Sequence, residues 1–174
     1  GLTPDGVRNR AMWDAYSDEY QAKHAEALDK TGGLTWGSSE TPESALQVLG
    51  DVAGKDILEL GCGAAQWSIG LVRAGARPVG LDLSARQLEH ARRLMKQAGV
   101  EFPLLHASAE AVPLADRSFD VVFCDHGAMT FADPYLTVPE VSRLLRPGGL
   151  FAFSHHSPIE TICWALGDDK VGER

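Results

Sequence analysis

A glycine-rich turn holds the residues of this chain that are best suited to binding a ligand. Residues 56–60 form a short apolar run, which is typical of a buried parallel strand. Gly61 and Gly63 interrupt the run, and an amphipathic helical pattern that includes Trp67 follows at once. This order of strand, glycine turn and helix brings bare backbone and a helix N-terminus close to a ligand.

An acidic residue follows at the spacing that a nucleoside site requires. Residues 77–82 predict a second strand that ends in Asp82, twenty-one residues after Gly61. An acid at this place in a βαβ unit accepts hydrogen bonds from two ribose hydroxyls. We therefore predict a nucleoside site, and the alternative is a tight turn followed by a helix N-cap at Asp82.

The residues around the turn distinguish between nucleoside cofactors. Gln66 stands where a dinucleotide fingerprint has its third glycine, and Glu59 is unusual for an NAD site. The pattern E-L-G-C-G over residues 59–63 resembles motif I of class I methyltransferases that depend on S-adenosylmethionine (SAM). Because SAM has a cationic amine and sulfonium and no phosphate, a carboxylate beside the turn suits it.

The resemblance implies a set of cofactor-binding positions. Glu59 would organise the methionine end of SAM against the backbone of residues 61–63, and Asp82 would bind ribose. The predicted cofactor-binding residues are Trp13, Tyr20, Trp36, Glu59, Gly61, Cys62, Gly63, Gln66, Asp82, Leu83, Ser108, Ala109, Glu110 and Asp125.

A second segment resembles the part of these enzymes that cradles adenine. Residues 106–114, H-A-S-A-E-A-V-P-L, are similar to the family segment G-D-A-E-x-L-P-F. Ser108 replaces the usual Asp and would accept from the adenine amino group less strongly than a carboxylate. Ala109 would offer its backbone N–H to a ring nitrogen, and Glu110 would stay near the rim. The alternative is an ordinary loop.

Aromatic residues near the N-terminus extend the resemblance. Residues 9–29 predict a helix, and its segment 13–20, W-D-A-Y-S-D-E-Y, resembles the N-terminal segment of many small-molecule methyltransferases. In those enzymes two aromatic residues close over the methionine end of SAM, and Trp13 and Tyr20 match them. The alternative is core packing of an amphipathic helix. Trp36, in a predicted loop, either lines the pocket or plugs the core.

Histidines follow two of the later strands and are candidates for a catalytic base. His126 follows the strand at 119–124, and His155 and His156 follow the strand at 150–153. An imidazole titrates near neutrality. Adjacent residues of an extended chain point to opposite sides, so at most one of the last two faces substrate. The alternative for His126 is a hydrogen-bonded loop histidine.

Alternating strands and helices predict an α/β, Rossmann-like, doubly wound and mostly parallel sheet with helices on both faces. The predicted strands are 56–60, 77–82, 100–105, 119–124 and 150–153, and the predicted helices are 9–29, 42–49, 64–74, 85–98 and 138–145. We expect a helical cap over residues 1–54 and a SAM-binding core over residues 55–174. The resemblance implies seven strands, of which the last two form an antiparallel hairpin. Because the sequence predicts only five strands, that hairpin is expected to be absent from this chain.

Composition limits the classes of partner. The chain has 174 residues and a formal net charge of −8, which argues against a nucleic-acid partner. No apolar run approaches the length of a membrane span, and the three cysteines lack a CxxC spacing. We expect a cytoplasmic protein without a metal site, and the oligomeric state stays open.

The resemblance covers about residues 10–160 and is closest to the branch that methylates small molecules, similar to quinone-biosynthesis and natural-product enzymes. It implies in-line transfer of the SAM methyl group to an oxygen, nitrogen or carbon atom of a small-molecule acceptor, with S-adenosylhomocysteine (SAH) as product. One alternative is a non-catalytic SAM-binding module. Another is an NAD-dependent oxidoreductase, which predicts a third glycine and a Tyr-x-x-x-Lys motif that the sequence lacks.

Overall fold

A computed structural model of the chain describes residues 1–30, 33–155 and 157. The helices within these residues are α1 (Pro4–Lys30), α2 (Glu43–Leu46), α3 (Gln66–Arg73), α4 (Ala85–Ala98), α5 (Ala128–Phe131) and α6 (Pro134–Leu144). The strands are β1 (Thr35–Trp36), β2 (Thr41–Pro42), β3 (Asp56–Leu60), β4 (Arg77–Asp82), β5 (Leu104–His106), β6 (Phe119–Asp125) and β7 (Leu145–Ser154). The candidate base His156 lies outside the described residues.

The central sheet has the order β5-β4-β3-β6-β7, and all of its neighbouring strands are parallel. The chain winds outward from β3 in both directions, so Glu59 pairs with Gly80 on one side and Phe123 on the other. The predicted doubly wound α/β fold is confirmed. Such a sheet binds ligands at the carboxyl ends of its strands, near the point where the winding reverses.

The two faces of the sheet bury separate apolar clusters, because successive strand residues point to opposite faces. Leu58 and Leu60 pack with Val122 and with the inner side of α6. Ile57 packs on the other face with a cluster that includes Phe123. β3 is therefore covered on both sides, as its continuous apolar run predicted.

Local capping signals define two of the helices. Ser84 Oγ accepts from the backbone N–H of Gln87 at 3.2 Å, and Gly99 closes α4 in the left-handed conformation with φ +67°. Asp133 Oδ1 accepts from the N–H of Tyr135 at 2.8 Å. Because Pro134 then occupies the first turn, α6 begins four residues before the predicted start.

Several elements differ from the prediction. The helix expected at 42–49 is reduced to α2, because Gln47 adopts a left-handed φ of +53° and ends it. Thr41–Pro42 pairs instead with Thr35–Trp36 as a small antiparallel ribbon. β5 starts later than predicted, and the one-turn helix α5 was not predicted at all. The division into a cap and a core stays a prediction.

Candidate cofactor-binding site

A cavity of about 500 Å³ lies at the carboxyl edge of the sheet. Its walls come from the glycine-rich turn after β3, the ends of β4 and β6, the segment after β5, and the inner side of α1. The volume falls within the range of small-molecule sites. The strands thus bring together segments that are far apart in the sequence, as a doubly wound sheet requires.

Glycine is required at the start of the turn for two reasons. Gly61 has φ +70°, a conformation that side chains rarely adopt. A Cβ at Gly61 would also clash with the backbone nitrogen of Ala128 and lie 2.9 Å from the Cα of Gly127. The turn therefore packs directly on the backbone that follows β6, and this contact positions one wall of the cavity.

Asp82 is held at the end of β4 by two backbone donors. Its Oδ2 accepts from the N–H of Gly63 at 2.8 Å, and its Oδ1 accepts from the N–H of Ser84 at 2.8 Å. Burial raises the pKa of Asp82 to about 6, although both N–H donors oppose the shift. Each carboxylate oxygen keeps acceptor capacity beyond these bonds, so the group can also accept from ligand hydroxyls.

Glu59 lies in β3 beneath the turn and is 5% exposed. Its Oε2 accepts from the backbone N–H of Ser68 at 3.1 Å and from the Ser68 hydroxyl. Burial raises the pKa of Glu59 to about 8, and the nearby carboxylates of Asp125 and Asp82 add to the shift. The uncharged form is therefore favoured in the absence of a cation.

Asp125 connects three parts of the site at the end of β6. It accepts from the N–H of Gly37 at 2.9 Å, from the indole N–H of Trp67 at 3.4 Å and from the Ser154 hydroxyl. These donors fix the carboxylate at the cavity wall. Burial, with a contribution from the Asp125 charge, raises the pKa of the Tyr20 hydroxyl.

The charges of the cavity wall have one sign. Acidic side chains line it at Glu40, Glu59, Asp82, Glu110 and Asp125, with Glu59 favouring its charged form only beside a cation, whereas the described lining residues include no lysine or arginine. Such a wall favours a ligand that carries positive charge and disfavours a pyrophosphate. This charge pattern fits SAM better than a dinucleotide.

Aromatic rings of α1 and α5 cover the cavity. The ring of Trp13 lies 5.4 Å from the rings of both Tyr20 and Phe131, in nearly perpendicular orientations. His24 lies 4.5 Å from Tyr20. Trp13 and Tyr20 line the cavity, and their contact with a cofactor stays a prediction. Phe131 and His24 also line it and were not predicted.

Polar contacts attach α1 over the site. Asn9 Nδ2 donates to the carbonyl of Phe131 at 2.8 Å, and Gln21 Nε2 donates to Oε1 of Gln87 at 3.0 Å. All four of these residues line the cavity, and Asn9, Gln21 and Gln87 were also missed. The spacing of residues 9, 13, 20 and 24 on one face of α1 is a signal that could have revealed this inner side of the helix.

The segment predicted to cradle adenine lies in the cavity wall. Ser108, Ala109 and Glu110 line it together with Leu83. The Ser108 hydroxyl accepts from the N–H of Glu110 at 3.2 Å. Glu110 in turn accepts from the Thr3 hydroxyl at 2.7 Å, so it connects the rim to the start of α1.

Other predicted positions fall within the turn and the strand ends. Gly61, Cys62, Gly63 and Gln66 line the cavity, as does His126. His126 has a left-handed φ of +55°, and its N–H donates to the carbonyl of Ser154 at 3.0 Å.

Two predicted residues lie elsewhere. Trp36 is a correction: it is 6% exposed, packs against Trp67 at 4.8 Å, and its indole N–H donates to Glu43 at 2.6 Å. It plugs the core because these partners bury it, and the cavity lining does not include it. His155 is exposed, stacks on Phe153 at 5.8 Å and is not among the described residues that line the cavity.

No helix among the described residues is long and apolar enough to cross a membrane. No group of three or more His, Cys, Asp or Glu side chains in the same part of the chain is arranged to hold a metal ion.

The protein thus has a doubly wound α/β fold with an acidic, aromatic cavity at the carboxyl edge of its sheet. A family model described as a methyltransferase domain matches residues 58–153. The chain belongs to this methyltransferase domain family, and its resemblance to class I SAM-dependent methyltransferases of the small-molecule branch is confirmed.

Individual relatives agree with this assignment. A demethylmenaquinone methyltransferase of Lactococcus lactis subsp. lactis (strain IL1403) is 39% identical over 147 residues, which are 82% of this chain and 56% of that protein. A ubiquinone biosynthesis O-methyltransferase of Aromatoleum aromaticum is 38% identical over 104 residues, which are 59% of this chain and 44% of that protein. The crystal structure of a SAM-dependent methyltransferase from Mesorhizobium loti is similar with a TM-score of 0.60 at 29% identity, over 71% of this chain and 59% of that one. The chain spans about half the length of the curated relatives it matches.

Proposed function

We propose that this chain is the SAM-binding part of an enzyme that transfers the methyl group of SAM to an oxygen, nitrogen or carbon atom of a small molecule. The observation that carries the proposal is the cavity at the carboxyl edge of the sheet, where Asp82 is oriented by Gly63 and Ser84. Family membership supports the same cofactor.

The residues present fit SAM in size and in charge. A volume of about 500 Å³ is adequate for a nucleoside that is joined to a methionine. We assign the ribose hydroxyls to Asp82, and the base to Ser108 and Ala109. Glu59 and Asp125 are the carboxylates for the cationic methionine end.

When bound, SAM supplies a methyl group that its positively charged sulfur already activates. The chain therefore has to orient the reactants and exclude water rather than create a strong nucleophile. Trp13 and Tyr20 contribute to excluding water, because their rings cover the cavity. Asp125 contributes to orienting the reactants, because three hydrogen-bond donors hold its carboxylate in place. His126, which lines the cavity at the end of β6, can take a proton from the acceptor.

The names of two relatives suggest the acceptor class. One is a demethylmenaquinone methyltransferase and the other is a ubiquinone biosynthesis O-methyltransferase. We propose a small, largely apolar acceptor of that kind for this chain. The aromatic side chains of Trp13, Tyr20 and Phe131 support this, because flat apolar molecules pack well against such rings.

Binding and transfer are tested on the full-length protein. Calorimetry with SAM, SAH and NADH is expected to give binding of the first two and none of NADH, and NADH binding would overturn the proposal in favour of an oxidoreductase. Methyl-labelled SAM with reduced demethylmenaquinone and with a lipid extract is then expected to give labelled product and SAH. Binding of SAM without transfer to either acceptor preparation would favour the non-catalytic SAM-binding module.

A further inference from the structure

A charged pair on α6 holds the segment that follows β5. Glu140 and Arg143 lie one turn apart, and Arg143 donates to the two carboxylate oxygens of Glu140 at 2.9 and 2.7 Å. The pair also binds both backbone groups of Val112. The N–H of Val112 donates to Glu140 Oε1 at 2.7 Å, and its carbonyl accepts from Arg143 Nη2 at 2.9 Å.

Arg143 extends these contacts further along the segment. Its Nη1 donates to the carbonyl of Leu114 at 2.8 Å and to Asp116 Oδ1 at 2.6 Å. A planar guanidinium holds several acceptors in a fixed relative geometry, which a lysine ammonium does not. The segment 112–116 is therefore attached to α6 at successive points.

The pair differs from an ordinary surface ion pair in what it binds. The side chains of Glu140 and Arg143 are 16% and 31% exposed, and an exposed pair of charges alone adds little stability. Here the charges also satisfy backbone groups of Val112, which is 4% exposed. These bonds fix a piece of backbone that belongs to neither a helix nor a strand.

The fixed backbone lies next to the cavity wall. Val112 follows Ser108, Ala109 and Glu110, which line the cavity, whereas Glu140 and Arg143 are not among its lining residues. The N–H of Ala111 donates to the carbonyl of Ser108 at 3.2 Å and closes a tight turn. The position of Ser108 therefore depends on where Val112 is held.

We propose that Glu140 and Arg143 are positioning residues for the base of the nucleoside ligand. They act through Val112 on Ser108 and Ala109, whose hydroxyl and N–H the proposed function assigns to the base. The inference rests on that function, but its mechanical part, the attachment of Val112 to α6, can be measured without any ligand.

The test uses Arg143→Met and Arg143→Lys, with Glu140→Gln as a milder variant that keeps an acceptor for the N–H of Val112. Arg146→Met is the matched control. Arg146 is 38% exposed and binds Asp56 and Asp120 at 2.8 Å, at the opposite edge of the sheet from the cavity. Calorimetry measures binding of SAH and of its inosine analogue, in which a carbonyl replaces the adenine amino group. Mass spectrometry measures hydrogen exchange of residues 107–114 without ligand.

Arg143→Met and Arg143→Lys are expected to weaken SAH binding at least tenfold, to reduce the preference for SAH over the inosine analogue, and to accelerate exchange of residues 107–114. Glu140→Gln is expected to do the same to a smaller extent, and Arg146→Met to do none of these even if it lowers the melting temperature as much. Equal losses for both ligands, or SAH binding by the Arg143 variants as tight as by Arg146→Met, would overturn the inference. A wild-type protein that binds no SAH refutes the proposed function instead, and exchange unchanged by Arg143→Lys refutes the attachment itself.

Discussion

The backbone N–H of Gly63 donates to Oδ2 of Asp82 across 2.8 Å, so the glycine-rich turn and the acidic end of β4 form one unit. The other carboxylate oxygen accepts from Ser84, the N-cap of α4. A single side chain thus connects the starts of two helices at the cavity. The same contacts hold the carboxylate of Asp82 in the wall of the cavity.

Replacing Asp82 by Asn is expected to weaken SAH binding by on the order of 2–3 kcal/mol, because ribose hydroxyls lose a charged acceptor. Calorimetry measures the loss directly. Asp51→Asn is the control, since Asp51 also accepts from a backbone N–H, that of Ala53 at 3.0 Å, but does not line the cavity. Equal affinity of both variants would contradict the assignment of Asp82 to ribose.

Gly61→Ala and Gly99→Ala separate backbone strain from close packing. The two glycines have φ values of +70° and +67°, so alanine costs about 1 kcal/mol of folding free energy at either position. No heavy atom lies within 4 Å of a Cβ at Gly99, whereas one at Gly61 meets the backbone of Gly127 and Ala128. We expect Gly61→Ala to cost at least about 2 kcal/mol more in urea unfolding and to weaken SAH binding. Equal unfolding free energies would show that the turn can move.

Elements with local signals could be predicted from the sequence. The strand at 56–60 and the helix at 85–98 coincide with β3 and α4, because a continuous apolar run, the Ser84 cap and the Gly99 stop are all encoded within a few residues. The order of strands and helices also predicted that a ligand would bind at the carboxyl edge of the sheet. That the residues along it bind SAM stays a prediction.

Features decided by tertiary contacts could not be predicted. Trp36 is buried because Trp67 and Phe123 lie beside it, and no local pattern brings these three rings together. α5 has only four residues, and Gly127 before it packs on the turn at Gly61. In such cases the neighbours, rather than intrinsic propensity, determine the structure.

Trp36 and Trp13 are expected to respond oppositely to replacement by leucine. Trp36→Leu loses ring packing and the hydrogen bond to Glu43, so it is expected to cost about 2–4 kcal/mol of folding free energy with little change in SAH affinity. Trp13→Leu is expected to cost under about 1 kcal/mol in stability and to weaken SAM binding several-fold. Urea unfolding and calorimetry on both variants measure the two effects. A large loss of ligand affinity with little loss of stability in Trp36→Leu would instead show that Trp36 contacts the ligand.

His126→Asn tests the proposed base without disturbing the backbone, because asparagine tolerates the left-handed φ of +55° at this position. With a demethylmenaquinone-type acceptor, we expect kcat to fall at least about tenfold, while SAM affinity stays within a factor of two. Unchanged turnover would remove His126 from the proton transfer and leave orientation as the chain's contribution.

The raised pKa of Glu59 predicts how stability depends on pH. With a folded pKa of about 8 against an ordinary value of 4.5, Glu59 keeps a proton in the folded chain that the unfolded chain has released. Stability is therefore expected to fall as the pH rises through this interval, by about 1 kcal/mol per pH unit for one such group. Asp82, with a pKa of about 6, adds a similar slope mainly below pH 6.

Glu59→Gln separates the two carboxylates, because between pH 6 and 8 the difference in unfolding free energy between wild type and variant contains the Glu59 slope alone. If the unfolding free energies of wild type and Glu59→Gln changed in parallel between pH 6 and 8, Glu59 would already be charged in the folded protein. A bound cation favours the charged form, so SAM binding near pH 7 is expected to release a proton from the wild type and none from Glu59→Gln. Calorimetry in buffers of different ionisation enthalpy counts that proton, and equal release by both proteins would assign it to another group.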